Sequence, residues 1–360
     1  MTHTGLEIKT HFRDASKIEV GIFMPKAEVV SNRFINHLVH TIVTDAPDIN
    51  LALFLTEQPV DPRIDNVDAL NKKRFLHSTL LNDVIFPLQR KNYKTLPGNV
   101  LLPPDLLANK YNNAAKEQRI RIVPNVNPND SKFIEQEITN NEALKMSVSV
   151  RNLVVFKERL INAHKERCGP ASLLNVHPGN TEQIKGLESP WWTRKHGLNE
   201  YMITLHEAAR EIDTGDIIDY VATTINGYAS KSVATYQRDT APEISKMVAK
   251  HIHTRLIANG ENKGISLGTK NKNEGRYETL PTQDQIHAGE KKGIKLIDRY
   301  ETLSYLQSHY ANEGTHPLQF AAIRDLLELH TDNFTQGIYK KPHGNSFQDI
   351  KEEMQLQMPS

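Results

Sequence analysis

Two short runs hold the residue types that acid–base and acyl chemistry use. The first is Leu173-Leu174-Asn175-Val176-His177-Pro178, an apolar run ending in an amide and an imidazole with one residue between them. Side chains two apart on a strand point to the same face. Asn175 and His177 therefore share one side of a strand's carboxyl end, where open α/β sheets bind ligands. An amide there can donate a hydrogen bond, and an imidazole can donate or carry a proton. By itself, an Asn-x-His at a strand end is more often a turn or a cap than a site. The second run extends from His206 to Ile218. A strand ends near His206, and Asp213-Thr214-Gly215 makes a tight turn into the next strand. Read alone, Asp213 and Gly215 are equally well explained as turn residues.

Other candidates carry less. His206-Glu207-Ala208-Ala209-Arg210 falls short of a zinc-protease motif because Arg210 stands where a second histidine is needed, so no metal is expected. His206 itself reads as a packed structural histidine. Trp191 and Trp192 suit either stacking on a ligand ring or core packing. Gly260, Gly264 and Gly268 do not follow a strand as a phosphate loop does and read as linker. Cys168 has no catalytic context, and His251 and His253 are assigned no role.

The elements that must position these residues follow an α/β rhythm. Ile18–Met24 and Ile49–Leu55 are buried-strand candidates, and Val29–Val43 between them carries Phe34, Ile35, Leu38, Ile42 and Val43 at helical spacing. Strand–helix–strand order points to parallel neighbours. Leu70–Leu88 reads as helical, and Leu96–Pro104 as a turn-rich exposed insertion. Strands are expected at Ile120–Pro124, Leu144–Val150, Leu173–Val176, Glu200–Leu205 and Ile217–Thr224. Helices are expected at Ser131–Thr139, with Ser131 as cap, at Val154–His164, and as one long helix over Val233–Asn259. The glycine- and asparagine-rich stretch after Asn259 reads as a junction. Residues 1–17 read as an arm, and the tail from Lys340 lacks apolar periodicity.

Bulk composition limits the classes. The chain has 360 residues, 38% apolar and 24% charged, with a net charge of +1, as an ordinary globular protein has. No basic surplus points to nucleic acid. One cysteine allows no disulfide framework. Neither a signal-peptide pattern nor a membrane-length apolar run is present, and a cytoplasmic location is expected.

Taken together, Asn175-x-His177-Pro178, Lys185-Gly186, Pro190-Trp191-Trp192 and Ile212-Asp213-Thr214-Gly215-Asp216-Ile217-Ile218 resemble the 10-formyltetrahydrofolate-dependent formyltransferases. That family includes glycinamide ribonucleotide, methionyl-tRNA and sugar-nucleotide N-formyltransferases, and the Gly186–Trp192 run is most similar to the sugar branch. The resemblance covers roughly residues 18–222. It implies a Rossmann-like, mostly parallel sheet flanked by helices, with a smaller C-terminal α+β unit. With the change of character along the chain, the reading divides it into an arm (1–17), a catalytic domain (18–225), an accessory domain (226–339) and a tail (340–360). The resemblance places the catalytic residues at Asn175, His177 and Asp213, and falls with a further family histidine on His206. The folate-cradling loop falls on Val150, Arg151, Asn152 and Leu153, and Glu211 and Ile212 supply the other wall. One departure stands out. Pro178-Gly179-Asn180-Thr181-Glu182 replaces the run that normally shapes the acceptor side.

The chemistry implied is acyl transfer to an amine. Attack on the formyl carbon makes a tetrahedral oxyanion. Asn175 can donate to it, a protonated His177 can donate and add charge, and Asp213 can hold His177 protonated and help relay the proton. The implied partners are 10-formyltetrahydrofolate as donor and a small amine, favoured as an amino sugar on a nucleotide; a homodimer stays open. A hydrolase of the same family, releasing formate, shares the three residues. A nicotinamide-dependent oxidoreductase is disfavoured because Gly21 is followed by Ile-Phe-Met-Pro rather than a glycine-rich turn. A binding protein that has lost catalysis is disfavoured by the intact trio. A cut near residue 226 is expected to leave the folate site able to fold.

Overall fold

The computed structural model describes residues 17–57, 64, 67–91, 93–96, 100–258 and 269–310. Most of the expected arm, residues 259–268 of the junction, residues 311–339 and the tail lie outside the described residues.

A seven-stranded sheet forms the centre. Its strands are β1 (Ile18–Pro25), β2 (Ile49–Thr56), β3 (Ile120–Val126), β4 (Leu144–Val150), β5 (Leu173–His177), β7 (Glu200–Glu207) and β8 (Ile217–Thr224). The short β6 (Ile184–Gly186) instead pairs in parallel with β9 (Arg276–Glu278). The order in the large sheet is β3-β2-β1-β4-β5-β7-β8. Every pair from β3 to β5 is parallel, and β7 runs antiparallel to both β5 and β8. This is the mostly parallel α/β sheet expected.

Alternation along the strands feeds two cores. Val20, Ile22 and Met24 of β1 pack with Phe34, Ile35, Leu38 and Ile42 of α1 (Val29–Asp45), whereas Phe23 packs on the other side with Phe54, Phe133 and Leu160. Each such side chain contributes about 1.5–3 kcal/mol on burial. Helix α1 begins where the Glu28 carboxylate accepts hydrogen bonds from the Ser31 backbone N–H and hydroxyl, at 2.8 and 2.9 Å.

Several element boundaries differ from expectation for local reasons. The helix expected to begin at Val154 begins at Glu158, because Asn152 and Asn129 accept hydrogen bonds from the Val154 and Lys157 N–H groups. Asp130, not Ser131, caps the helical turns at Ser131–Thr139. The long helix expected from Val233 is two, Val233–Asp239 and Ala241–His253, since Pro242 has no N–H to carry the first one onward. Leu96–Pro104 is not wholly exposed. Val100–Leu102 are buried, and Pro104 opens an unexpected helix, Pro104–Ala115.

The chain after residue 226 shares cores with the chain before it. Ile244, Met247 and Val248 join the α1 side of the sheet. The Trp192 indole N–H donates to Thr279 O at 2.9 Å, and Ile286, Ile294 and Leu296 share a core with Trp191 and Trp192. Tyr305, Leu306 and Tyr310 pack on Phe75, Leu76 and Leu80.

Candidate active site

The chain leaves β1 toward β2 on one side and returns to β4 on the other, so the sheet changes direction beside β1. A cleft of about 910 Å³ opens there, over the carboxyl ends of β1, β2, β4 and β5. Asn175 and His177 stand on its floor at the end of β5. Antiparallel pairing sets His206 of β7 directly opposite Asn175, and Thr204 opposite His177. Asp213 arrives from the loop between β7 and β8. Its φ of 56° is left-handed, a conformation that aspartate tolerates better than most residues.

These residues form one connected cluster. His177 Nδ1 lies 3.2 Å from Asp213 Oδ2, and His206 Nε2 lies 3.5 Å from Asp213 Oδ1. The Gly186 N–H donates to Asp213 Oδ2 at 2.9 Å. Gly186 has φ +89°, and a Cβ there would fall 2.2 Å from Glu278 O, so glycine is needed to bring that N–H to the carboxylate. His206 Nδ1 lies 2.8 Å from Glu207 O, and its Nε2 lies 3.2 Å from the Asn175 amide nitrogen. In the Nδ1–H tautomer His206 donates to Glu207 O, and its Nε2 accepts from the Asn175 amide. On the far side of the His177 ring, Nε2 lies 3.2 Å from Ile184 O and 2.9 Å from Ser189 Oγ.

Electrostatics sort the roles. Burial pushes the Asp213 carboxyl up, but its neighbours His177 and His206 and the Gly186 N–H outweigh it, holding Asp213 well below the usual carboxylate range. For His177 burial is the largest influence and pulls the imidazole down; Asp213 opposes this without overcoming it. Burial thus favours a neutral resting ring, against the expected pull of Asp213 toward a protonated His177.

The unusual Pro178–Glu182 run has a packing reason. The Thr204 hydroxyl donates to Gly179 O at 2.7 Å and draws the loop in. A Cβ on Gly179 would lie 2.6 Å from Ser189 Cβ and 2.9 Å from His177 Nε2. Only glycine lets the loop pass so close.

Of the residues expected to cradle folate, Arg151, Asn152, Leu153, Glu211 and Ile212 line the cleft. Val150 does not. It ends β4 fully buried in the α1-side core, because strand alternation turns its side chain inward. Leu153 and Ile212 are 44% and 41% exposed on the cleft, and Val155 and Tyr277 line it at 52% each. Trp191 and Trp192 pack in a core instead and do not line the cleft.

A second polar wall was not anticipated. Lys73 reaches both oxygens of Glu188, at 2.7 and 2.6 Å, and donates to Gln237 Oε1 at 2.9 Å. Glu28 Oε1 lies 3.6 Å from His77 Nδ1, and Glu28 Oε2 lies 3.9 Å from Arg151 Nε. Burial pushes Glu28 up, but Arg151, His77 and the Ser31 N–H hold its carboxyl down at about 2. Burial pulls His77 down to about 4 against Glu28. Positions 28, 73, 77, 151 and 188 share no spacing that sequence reasoning could join. His206 offered a signal, since extending the β7 strand by one residue sets it opposite Asn175. Ser189 offered none. Among the described residues no group of three or more His, Cys, Asp or Glu is placed to hold a metal ion, and no helix is long and apolar enough to cross a membrane.

No protein-family profile matches the chain, and no curated protein matches it. Solved structures of low identity are similar to it. WlaRD, a sugar 3N-formyltransferase solved in the presence of dTDP and 5-N-formyl-THF, is 16% identical, with a TM-score of 0.42 over 78% of this chain and 83% of that one. An N-formyltransferase from Helicobacter canadensis, in complex with folinic acid and dTDP-3-aminofucose, is 14% identical, with a TM-score of 0.40 over 73% and 71%. Phosphoribosylglycinamide formyltransferase from Bacillus halodurans is 13% identical, with a TM-score of 0.41 over 68% and 98%. Likeness at this depth does not decide function.

Proposed function

We propose that the protein is a formyltransferase that carries a formyl group from 10-formyltetrahydrofolate to a primary amine, with an amino sugar on a nucleotide as the favoured acceptor. The observation that carries this reading is the convergence of Asn175, His177 and Asp213, from β5 and a loop 36 residues beyond His177, into one hydrogen-bonded cluster on the cleft floor. Asn175 is placed to donate its amide N–H to an oxygen that becomes an oxyanion, an interaction worth ~3–4 kcal/mol in a preorganised site. The ionised Asp213 and neutral His177 together carry one negative charge. That charge offsets the positive charge an attacking amine develops, and the pair can receive its proton.

The fit to a folate is supported by Leu153, Val155, Ile212 and Tyr277, which set exposed apolar surface around a cleft otherwise lined by polar groups. A flat heteroaromatic ring buries such surface while its edges meet hydrogen-bonding groups. Asn152 and the backbone of residues 151–153 are the residues proposed to hold it. The sugar acceptor is supported by the Gly186–Trp192 run and by the second polar wall, whose paired charges suit a neutral, hydroxyl-rich group. Action in the cytoplasm belongs to the same proposal.

The division at residue 225 is proposed as one of labour, with the trio before it and supporting elements after it. The shared cores change what a cut near residue 226 should do. Removing Ile244, Met247 and Val248 bares the apolar face of α1, so the shortened chain is expected to be unfolded by circular dichroism and to bind no folate.

The specific alternative is a hydrolase in which water replaces the amine. Tetrahydrofolate formation is to be followed with and without amino-sugar nucleotides. The proposal predicts turnover that requires the amine and yields a formamide. Formate release at an undiminished rate without any amine would establish the hydrolase.

A further inference from the structure

The His177 ring is held on both nitrogens by the protein, and the two sides differ in kind. On the Nδ1 side stands the Asp213 carboxylate, 3.2 Å away, which can only accept. On the Nε2 side stand Ile184 O at 3.2 Å, which can only accept, and Ser189 Oγ at 2.9 Å, which can accept or donate. Ser189 Oγ also lies 3.2 Å from Gly186 O. The hydroxyl is fully buried, and Gly179 packs against its Cβ so closely that no side chain fits between them.

Resting on the formyl-transfer reading of this site, we propose that Ser189 is a positioning residue that lets His177 change charge without moving. With a neutral ring, Nδ1–H donates to Asp213, and the Ser189 O–H donates to the lone pair on Nε2. When the ring takes a second proton, Nε2–H donates to Ile184 O and Ser189 Oγ. The hydroxyl then rotates, and its O–H donates to Gly186 O. One hydroxyl rotation satisfies both charge states with the heavy atoms fixed. A ring held on both nitrogens can then titrate without leaving its place. The proton count closes: solvent hydronium gives up a proton, one N–H forms on Nε2, the hydroxyl keeps its hydrogen, and only its acceptor changes.

The consequence is a directional pH effect. Asp213, His206 and Arg151 supply the charges and titrating groups that act on the ring, and none of them changes when Ser189 is replaced. In Ser189→Ala the neutral ring loses the one donor that the described residues offer its Nε2 lone pair, which then faces Ile184 O across 3.2 Å. The cation keeps Ile184 O as acceptor. The neutral form loses more, so the titration midpoint of His177 must rise.

The test is a titration of the full chain, labelled with ¹⁵N-histidine, followed by NMR without substrate; the His177 signals are assigned by their loss in His177→Asn. Ser189→Ala should raise the His177 midpoint by roughly half to one pH unit, the size of one lost neutral hydrogen bond. If the alanine variant does not fold, Ser189→Cys serves, since a thiol is a weaker donor and should give a smaller rise. A midpoint that is unchanged or lower in a folded variant lacking the hydroxyl overturns the proposal. The titration is read without folate or amine, so it stands or falls separately from formyl transfer. If formyl transfer holds, the acid limb of the pH–rate profile should move in the same direction as the NMR midpoint.

Discussion

The floor and the second polar wall of the cleft are both buried and both rich in ionisable groups, yet they are built oppositely. On the floor, Asp213 is an ionised carboxylate between two imidazoles, with Asn175 beside one of them. The protons of such a cluster can be redistributed over short distances. In the wall, Lys73 is chelated by Glu188, and Glu28 is committed to capping α1 and facing Arg151 and His77. Its charges cancel in place. A buried pair of this kind contributes little net stability but is costly to break, because the survivor is left charged in an apolar setting. The contrast teaches that buried charge alone does not mark catalysis. What matters is whether a proton can move at small cost.

That contrast can be broken at either side. Asn175→Ala should lower turnover by about 100-fold or more through loss of an oxyanion donor. It should shift the urea midpoint only slightly, since the residue is half-buried at a strand end. Steady-state kinetics and an unfolding curve on one preparation check both halves. A large stability loss with unchanged turnover of the folded fraction would reverse the assignment of floor and wall.

The wall should answer in the other currency of measurement. Lys73→Met leaves Glu188 buried without its partner and should cost about 3 kcal/mol in equilibrium unfolding. Glu188→Gln in the same chain should recover part of that. If Lys73→Met instead abolished turnover in a fully stable protein, Lys73 would belong with the floor. The smallest effect is expected at the rim. Leu153→Ser removes one apolar side chain from an exposed position and should weaken folate binding several-fold by calorimetry, about 1 kcal/mol. No change would move the ring site away from Leu153.

The two regions also differ in how far the sequence discloses them. The floor is nearly local. Asn175 and His177 sit two apart on a strand, and Asp213 opens an Asp-Thr-Gly turn that gains meaning only beside them. The parallel sheet is legible for the same reason, because β1, α1 and β2 each carry a clean apolar period. The wall draws on positions 28, 73, 77, 151, 188 and 237, brought together by tertiary packing that no spacing encodes. Ser189 was invisible for a related reason. Its importance lies in a 2.9 Å contact to a ring twelve residues away in sequence. Val150 and Arg151 are neighbours in the expected loop, yet strand alternation sends Val150 inward and Arg151 to the cleft. The helix break at Thr240 was missed although Pro242 announces it.

The central claim is that the ionised Asp213 drives chemistry and does not merely bind ligand. Asp213→Asn isolates it, because asparagine keeps the left-handed turn and the hydrogen-bonding shape while removing the charge. The decisive measurement is single-turnover formyl transfer beside the folate dissociation constant for that variant. The account predicts a loss of about 100-fold or more in rate with folate affinity held within a few-fold. Equal losses in rate and in affinity would contradict it and make Asp213 a binding residue.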